Sequence, residues 1–142
     1  MIGLANDIIN FNVGGKKFST FRKTFPKDTP FYKWFVTGTK EVPFVVRENE
    51  FFIDRDPKTF SVILNYFRLK TAGQLWEACL PKDPDRLALL TQEAEYFNLP
   101  QLRDQAINLL QSSCEEKPTN YIHEVLARSS SCPQGFNSPI AD

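Results

Sequence analysis

The sequence predicts an α+β fold: a few strands first, then helices. Two paired β-rich runs lie in the first 53 residues, and no such run recurs afterwards. Two Asp-Pro steps, Asp56-Pro57 and Asp83-Pro84, each precede apolar residues at helical spacing. Strands grouped ahead of helices, not alternating with them, argue against a parallel α/β sheet.

The first run, Ile8-Ile9-Asn10-Phe11-Asn12-Val13, is followed by Gly14-Gly15 and then by Lys16-Lys17-Phe18-Ser19-Thr20. A Gly pair between two extended runs predicts a hairpin, because the tight turn needs positive φ and Gly adopts it cheaply. The spacing of Gly14 and Gly15 and the lack of a directly following helix favour this turn over a phosphate loop. Pro30 suits a first helical position for the short apolar run Phe31 to Val36, and Gly38 suits its end. The second extended region covers Glu41 to Ile53, where Phe44-Val45-Val46 and Phe51-Phe52-Ile53 flank Arg47-Glu48-Asn49-Glu50 as a second hairpin.

Asp56 is a good N-cap, Pro57 a good N1 residue, and Phe60, Ile63, Leu64 and Phe67 form the apolar stripe of a helix reaching about Leu69. Asp83-Pro84 repeats this start, with Leu87, Leu90, Ala94 and Phe97 on one face. Asn98 and Gln101 suggest the cap of a further helix carrying Leu102, Ala106, Leu109 and Leu110. Domain boundaries follow: 1–111 as one folded domain, 112–119 as a linker, and 120–142 as a short amphipathic helix with a frayed Ser- and Pro-rich tail.

Bulk properties exclude several functions. Seventeen basic residues cancel seventeen acidic ones, so the basic surplus of a nucleic-acid domain is missing. No run approaches the roughly 18 apolar residues of a membrane span, and Met1 to Asp7 lacks the features of a signal peptide. Cys79, Cys114 and Cys132 are odd in number and widely spaced, which suits a reducing, cytoplasmic setting. The 13 Phe are unusual, and such rings serve either a core or an interface.

Three segments then carry a family likeness. Asn10 to Thr20 resembles the opening strand pair of BTB/POZ domains of the potassium-channel tetramerisation (T1) type. Phe51 to Pro57 with Phe60 to Arg68 is similar to that family's strand-to-helix junction, and Glu93 to Leu99 resembles its late helix. The likeness spans about Asp7 to Leu110. It implies a small mixed sheet packed against a helical cluster, and self-assembly as a tetramer or pentamer. It also implies one of two roles: a KCTD-like adaptor for a cullin-3 ubiquitin ligase, or the assembly domain of a voltage-gated channel. A BTB scaffold with neither role is a remoter alternative. Two departures stand out. Phe25 to Phe35 is bulkier than the family's usual Leu- and Ser-rich helix start, and the zinc motif of channels outside the Shaker group is missing.

Candidate residues are weighed against that background. Asp54, Arg55, Asp56 and Arg68 are candidates for a subunit interface, since guanidinium forks hold carboxylates bidentately; the plainer reading makes Asp56 a helix cap. Phe31, Trp34, Phe35 and Val36 are candidates for partner binding, with the expectation that Phe35→Ala weakens binding without unfolding the core. Lys16, Lys17, Arg22, Lys23 and Lys27 form a basic stretch that is either a solvated face or a surface for an acidic partner. His123 has Cys114 and Cys132 each nine positions away, too scattered for structural zinc, so no metal or cofactor is expected. No nucleophile, acid–base pair or metal set supports an enzyme. Asn120 to Arg128 either packs back on the domain or lays its apolar stripe in a partner's groove.

Overall fold

Alternation in the first run becomes two faces of a strand. In the computed structural model, β1 (Ile8–Val13) buries Ile9, Phe11 and Val13 and turns Ile8, Asn10 and Asn12 to the other side. The structure describes residues 7–38, 44–116 and 120–130, and the chain divides into two compact units, Met1–Leu80 and Pro81–Asp142. The expected linker residues 117–119, the tail 131–142 and the start of the second extended region at Glu41 to Pro43 lie outside the described residues.

In the first unit, β1 pairs antiparallel with β2 (Lys16–Phe21) through the Gly14-Gly15 turn, where φ is 57° and 100°. The second hairpin joins β3 (Val45–Arg47) to β4 (Glu50–Ile53), and its turn residues Glu48 and Asn49 take positive φ without any Gly. β4 lies parallel to β1, so the order is β2-β1-β4-β3 and the sheet is mixed. Between the hairpins, Thr29 caps α1 (Pro30–Tyr32), whose axis continues as a widened π-type turn over Lys33–Thr37. Gly38 closes that turn in the left-handed conformation at φ 78°, as its position in the sequence predicts.

Helix α2 (Pro57–Thr71) buries Phe60, Ile63, Leu64 and Phe67, the stripe read from the sequence. Rings dominate this core. Phe11 meets Phe35 edge-on at 4.9 Å and Phe60 at 5.5 Å, while Phe31 meets Phe67 at 4.9 Å. Such pairs contribute about 0.5–1.5 kcal/mol each beyond the area they bury. Most of the Phe excess is therefore core.

The second unit is helical: α3 (Pro84–Tyr96), α4 (Pro100–Glu116) and α5 (Asn120–Ser130). Leu87, Leu90 and Ala94 of α3, Leu102, Ala106 and Leu110 of α4, and Ile122 and Val125 of α5 are all buried. Two expectations need correction here. Asn98 does not open α4; it ends α3 with φ 58°, donating its N–H to the Glu95 carbonyl at 3.1 Å. Residues 112–116, expected as linker, continue α4 to Glu116. Within this unit α5 packs on α3 and α4, so burying its stripe at home replaces the partner-groove alternative for Ile122 and Val125.

Candidate interaction surfaces

The β4–α2 junction is braced by the first hairpin. The Gly14 N–H donates to the Ile53 carbonyl at 2.9 Å, and a Cβ on Gly14 would stand 2.7 Å from the Arg55 carbonyl oxygen. That distance is shorter than real contacts allow, so the turn's tip is fitted to the junction as well as to its own φ. Beside it, the Asp56 carboxylate accepts from the Thr59 N–H at 2.9 Å and from the Thr59 hydroxyl at 2.6 Å. Both bonds fall on Oδ2, so Asp56 serves α2 first, as a cap, and any subunit contact would have to use its other oxygen. Asp54 is exposed and Arg55 half-buried, so the outward-facing part of the trio begins with Asp54.

Arg68 does not join this cluster. It lies 12 residues beyond Asp56 along α2, about 18 Å at the helical rise. Its guanidinium donates to the Ser19 carbonyl at 2.9 Å and to the Asn65 side chain at 3.2 Å, tying α2 to β2.

The aromatic candidates separate as well. Phe31 and Phe35 are buried, at 0% and 3% exposure, so their rings are core and offer no surface to a partner. Their i, i+4 spacing was the available signal, since it puts both on the inward face of one turn. Phe35 packs on Phe51 at 4.7 Å. Trp34 and Val36 are half-buried; Trp34 meets Phe44 edge-on at 5.2 Å, and the Val36 carbonyl accepts from Arg22 at 3.1 Å.

A surface that the sequence reading overlooked is the outer face of the sheet. Strand register aligns Ser19, Asn10, Glu50 and Arg47 across all four strands in one polar row. Ser19 Oγ donates to Asn10 Oδ1 at 2.8 Å, and Lys17 Nζ pairs with Glu50 Oε2 at 2.7 Å. The next row, Lys17, Asn12, Phe52 and Val45, ends in apolar side chains that are 38% and 57% exposed. Alternation in Ile8 to Val13 gave the inward and outward sets, but the row across strands needs the parallel β1–β4 pairing, which no local pattern encodes.

Among the described residues, no three His, Cys, Asp or Glu side chains come together as metal ligands, and no helix is long and apolar enough to cross a membrane. His123 is exposed on α5. Cys132 lies outside the described residues.

Comparison with known proteins matches this architecture. The family model for the BTB/POZ domain covers residues 9–107. The chain is 30% identical over 119 residues to the human "BTB/POZ domain-containing adapter for CUL3-mediated RhoA degradation protein 2", covering 84% of this chain and 34% of that protein. It is 32% identical over 85 residues to the human A-type voltage-gated potassium channel KCND3, covering 58% of this chain and 12% of the channel. The Drosophila melanogaster potassium voltage-gated channel protein Shal is 37% identical over 79 residues, 54% of this chain and 13% of its own length. The chain thus spans about a third of the adaptor and about an eighth of either channel. With a mixed four-stranded sheet and a helical unit among the described residues, and a family match across most of its length, this chain belongs to the BTB/POZ domain family, and is similar within it both to an adapter for CUL3-mediated degradation and to voltage-gated potassium channels.

Proposed function

We propose that the chain is a self-assembling, non-enzymatic interaction module that serves a cytoplasmic adaptor for a cullin-3 ubiquitin ligase. The observation that carries this reading is the similarity to the human adaptor, which extends over 84% of the chain, against 58% for the KCND3 channel. Copies of the module would meet through the polar outer face of the sheet and the exposed Asp54 with its neighbour Arg55. A polar interface of this kind gains register and partner choice more than raw affinity. Arg68 and Asp56, both occupied within their own chain, would play supporting roles. Assembly multiplies weak sites: once one copy is engaged, the others act at high effective concentration.

The interacting part is residues 1–111, with α4 completed to Glu116. Trp34 and Val36 remain candidates for partner contact; Phe31 and Phe35 shape that surface from beneath.

A second reading, a channel assembly domain, is favoured by the two channel relatives. One titration separates them. Calorimetry of the purified chain against the amino-terminal region of cullin-3 is expected to give saturable binding with one site per copy. A flat trace from a properly assembled chain would overturn the adaptor reading and favour the channel one.

A further inference from the structure

The basic stretch Lys16 to Lys27 is only partly accounted for by the contacts described above. Lys17 pairs with Glu50, and Arg22 with Asp7 at 3.5 Å. Lys23 behaves differently: it is exposed, and its ammonium lies 5.6 Å from the centre of the Phe21 ring. Phe21 in turn lines a groove of about 390 Å³ between β2 and the far end of α2, together with Ile8, Ser19, Thr20, Thr24 and Arg68. Ile8 and Phe21 are 60% and 43% exposed, directly opposite one another in register.

The groove therefore has an apolar floor and two cations at its border. Both hydrogen-bond partners of Arg68, the Ser19 carbonyl and the Asn65 amide, are neutral, so among the described residues no carboxylate cancels its charge. Of the six lining residues, none is acidic. The volume falls at the low end of pockets that hold small organic groups, about 300–1,000 Å³. It suits one bulky side chain and its neighbours, whereas a membrane surface would call for a convex apolar face.

We propose that this groove receives a short acidic peptide segment of a partner protein, seating one apolar side chain against Ile8 and Phe21 with flanking carboxylates at Lys23 and Arg68. The proposal does not depend on the cullin reading. It assigns the basic stretch a ligand of defined chemistry, an apolar residue set among Asp or Glu.

The test uses the full chain and a fluorescein-labelled Glu-Glu-Leu-Glu-Glu peptide, read by anisotropy. Saturable binding is expected at or below about 1 mM, weakening as salt rises from about 50 to 500 mM. Replacing the central leucine by serine, or all four glutamates by glutamine, should each lower affinity about tenfold, as should Lys23→Glu and Ile8→Ser. Both substituted side chains are exposed, so the variants should keep the wild-type melting temperature; Lys58→Glu, at the opposite end of α2 from Arg68 and outside the groove lining, should bind normally. Absence of binding up to about 1 mM, or equal affinity for the peptide in which glutamine replaces glutamate, overturns the proposal. Binding that emerges only after residues 1–6 are deleted assigns the groove to the chain's own segment instead. Peptide that dissociates the assembly in light scattering assigns it to a second copy, which equally contradicts the proposal.

Discussion

The two compact units use different side chains for the same task. Met1–Leu80 closes around rings, with Phe11 in contact with Phe25, Phe35, Phe51 and Phe60 at 4.9 to 6.2 Å. Among its described residues, Pro81–Asp142 closes mainly around Leu, Ala, Ile and Val on α3, α4 and α5, with Phe97 as a buried ring that meets Tyr96 edge-on at 5.0 Å. A short sheet and a three-residue helix have little aliphatic length to interdigitate, so large flat side chains fill the space between them. Long helices offer repeating i, i+4 ridges, such as Leu102, Ala106 and Leu110, and rely less on rings. The polar rows and the groove border both arise on the ring-packed unit, where strands turn every second side chain outward.

The largest effect should come from the rings. Phe35→Ala is expected to destabilise the chain by about 3–5 kcal/mol, and Leu102→Ala in the helical unit by about 2–5 kcal/mol, both read from urea unfolding. An unchanged midpoint for Phe35→Ala would restore Phe35 to the surface and break the contrast between the units.

Next come the two Asp-Pro helix starts, which share a sequence but differ in bonding. Asp56 holds both the N–H and the hydroxyl of Thr59, whereas Asp83 holds the Arg86 N–H alone, at 3.1 Å and exposed. Thermal melts should therefore rank Asp56→Ala at about 2 kcal/mol and Asp83→Ala at about 1 kcal/mol. Equal losses would mean the Thr59 hydroxyl adds nothing.

Lys17→Ala should matter little to the fold, less than about 1 kcal/mol, because Lys17 is 70% exposed and its ion pair with Glu50 is screened. A lower assembled mass for Lys17→Ala in light scattering would place this pair at a subunit contact. The smallest change concerns Cys79. Burial pushes its thiol up, and the nearby Glu77 charge adds to the effect. Less thiolate at a given pH means that iodoacetamide should modify Cys79 more slowly than a free cysteine, with the rise in rate displaced to higher pH. Alkylation at the free-thiol rate would show that the site opens.

Much of the fold was legible because its signals are local. Asp56, Asp83, Pro57 and Pro84 mark helix starts by capping chemistry, and Gly14 and Gly15 mark a turn by φ. The misreadings each have a cause. Asn98 looked like a cap because Asn favours helix starts, yet it also tolerates the left-handed conformation that ends one. Ser112 to Glu116 looked like a linker by composition, but α4 simply continues through them. Phe31 and Phe35 looked like surface because aromatic enrichment serves cores and interfaces alike, and only burial separates the two. The outer row Ser19, Asn10, Glu50 and Arg47 was illegible, since a parallel pairing between strands some forty residues apart leaves no local trace.

Self-assembly is the central claim, and absolute mass by light scattering on a size-exclusion column, over a concentration series, tests it most directly. The account predicts a mass four or five times 16.3 kDa that holds on dilution, with five favouring the adaptor reading over the channel one. A monomer of 16.3 kDa at every concentration would contradict it.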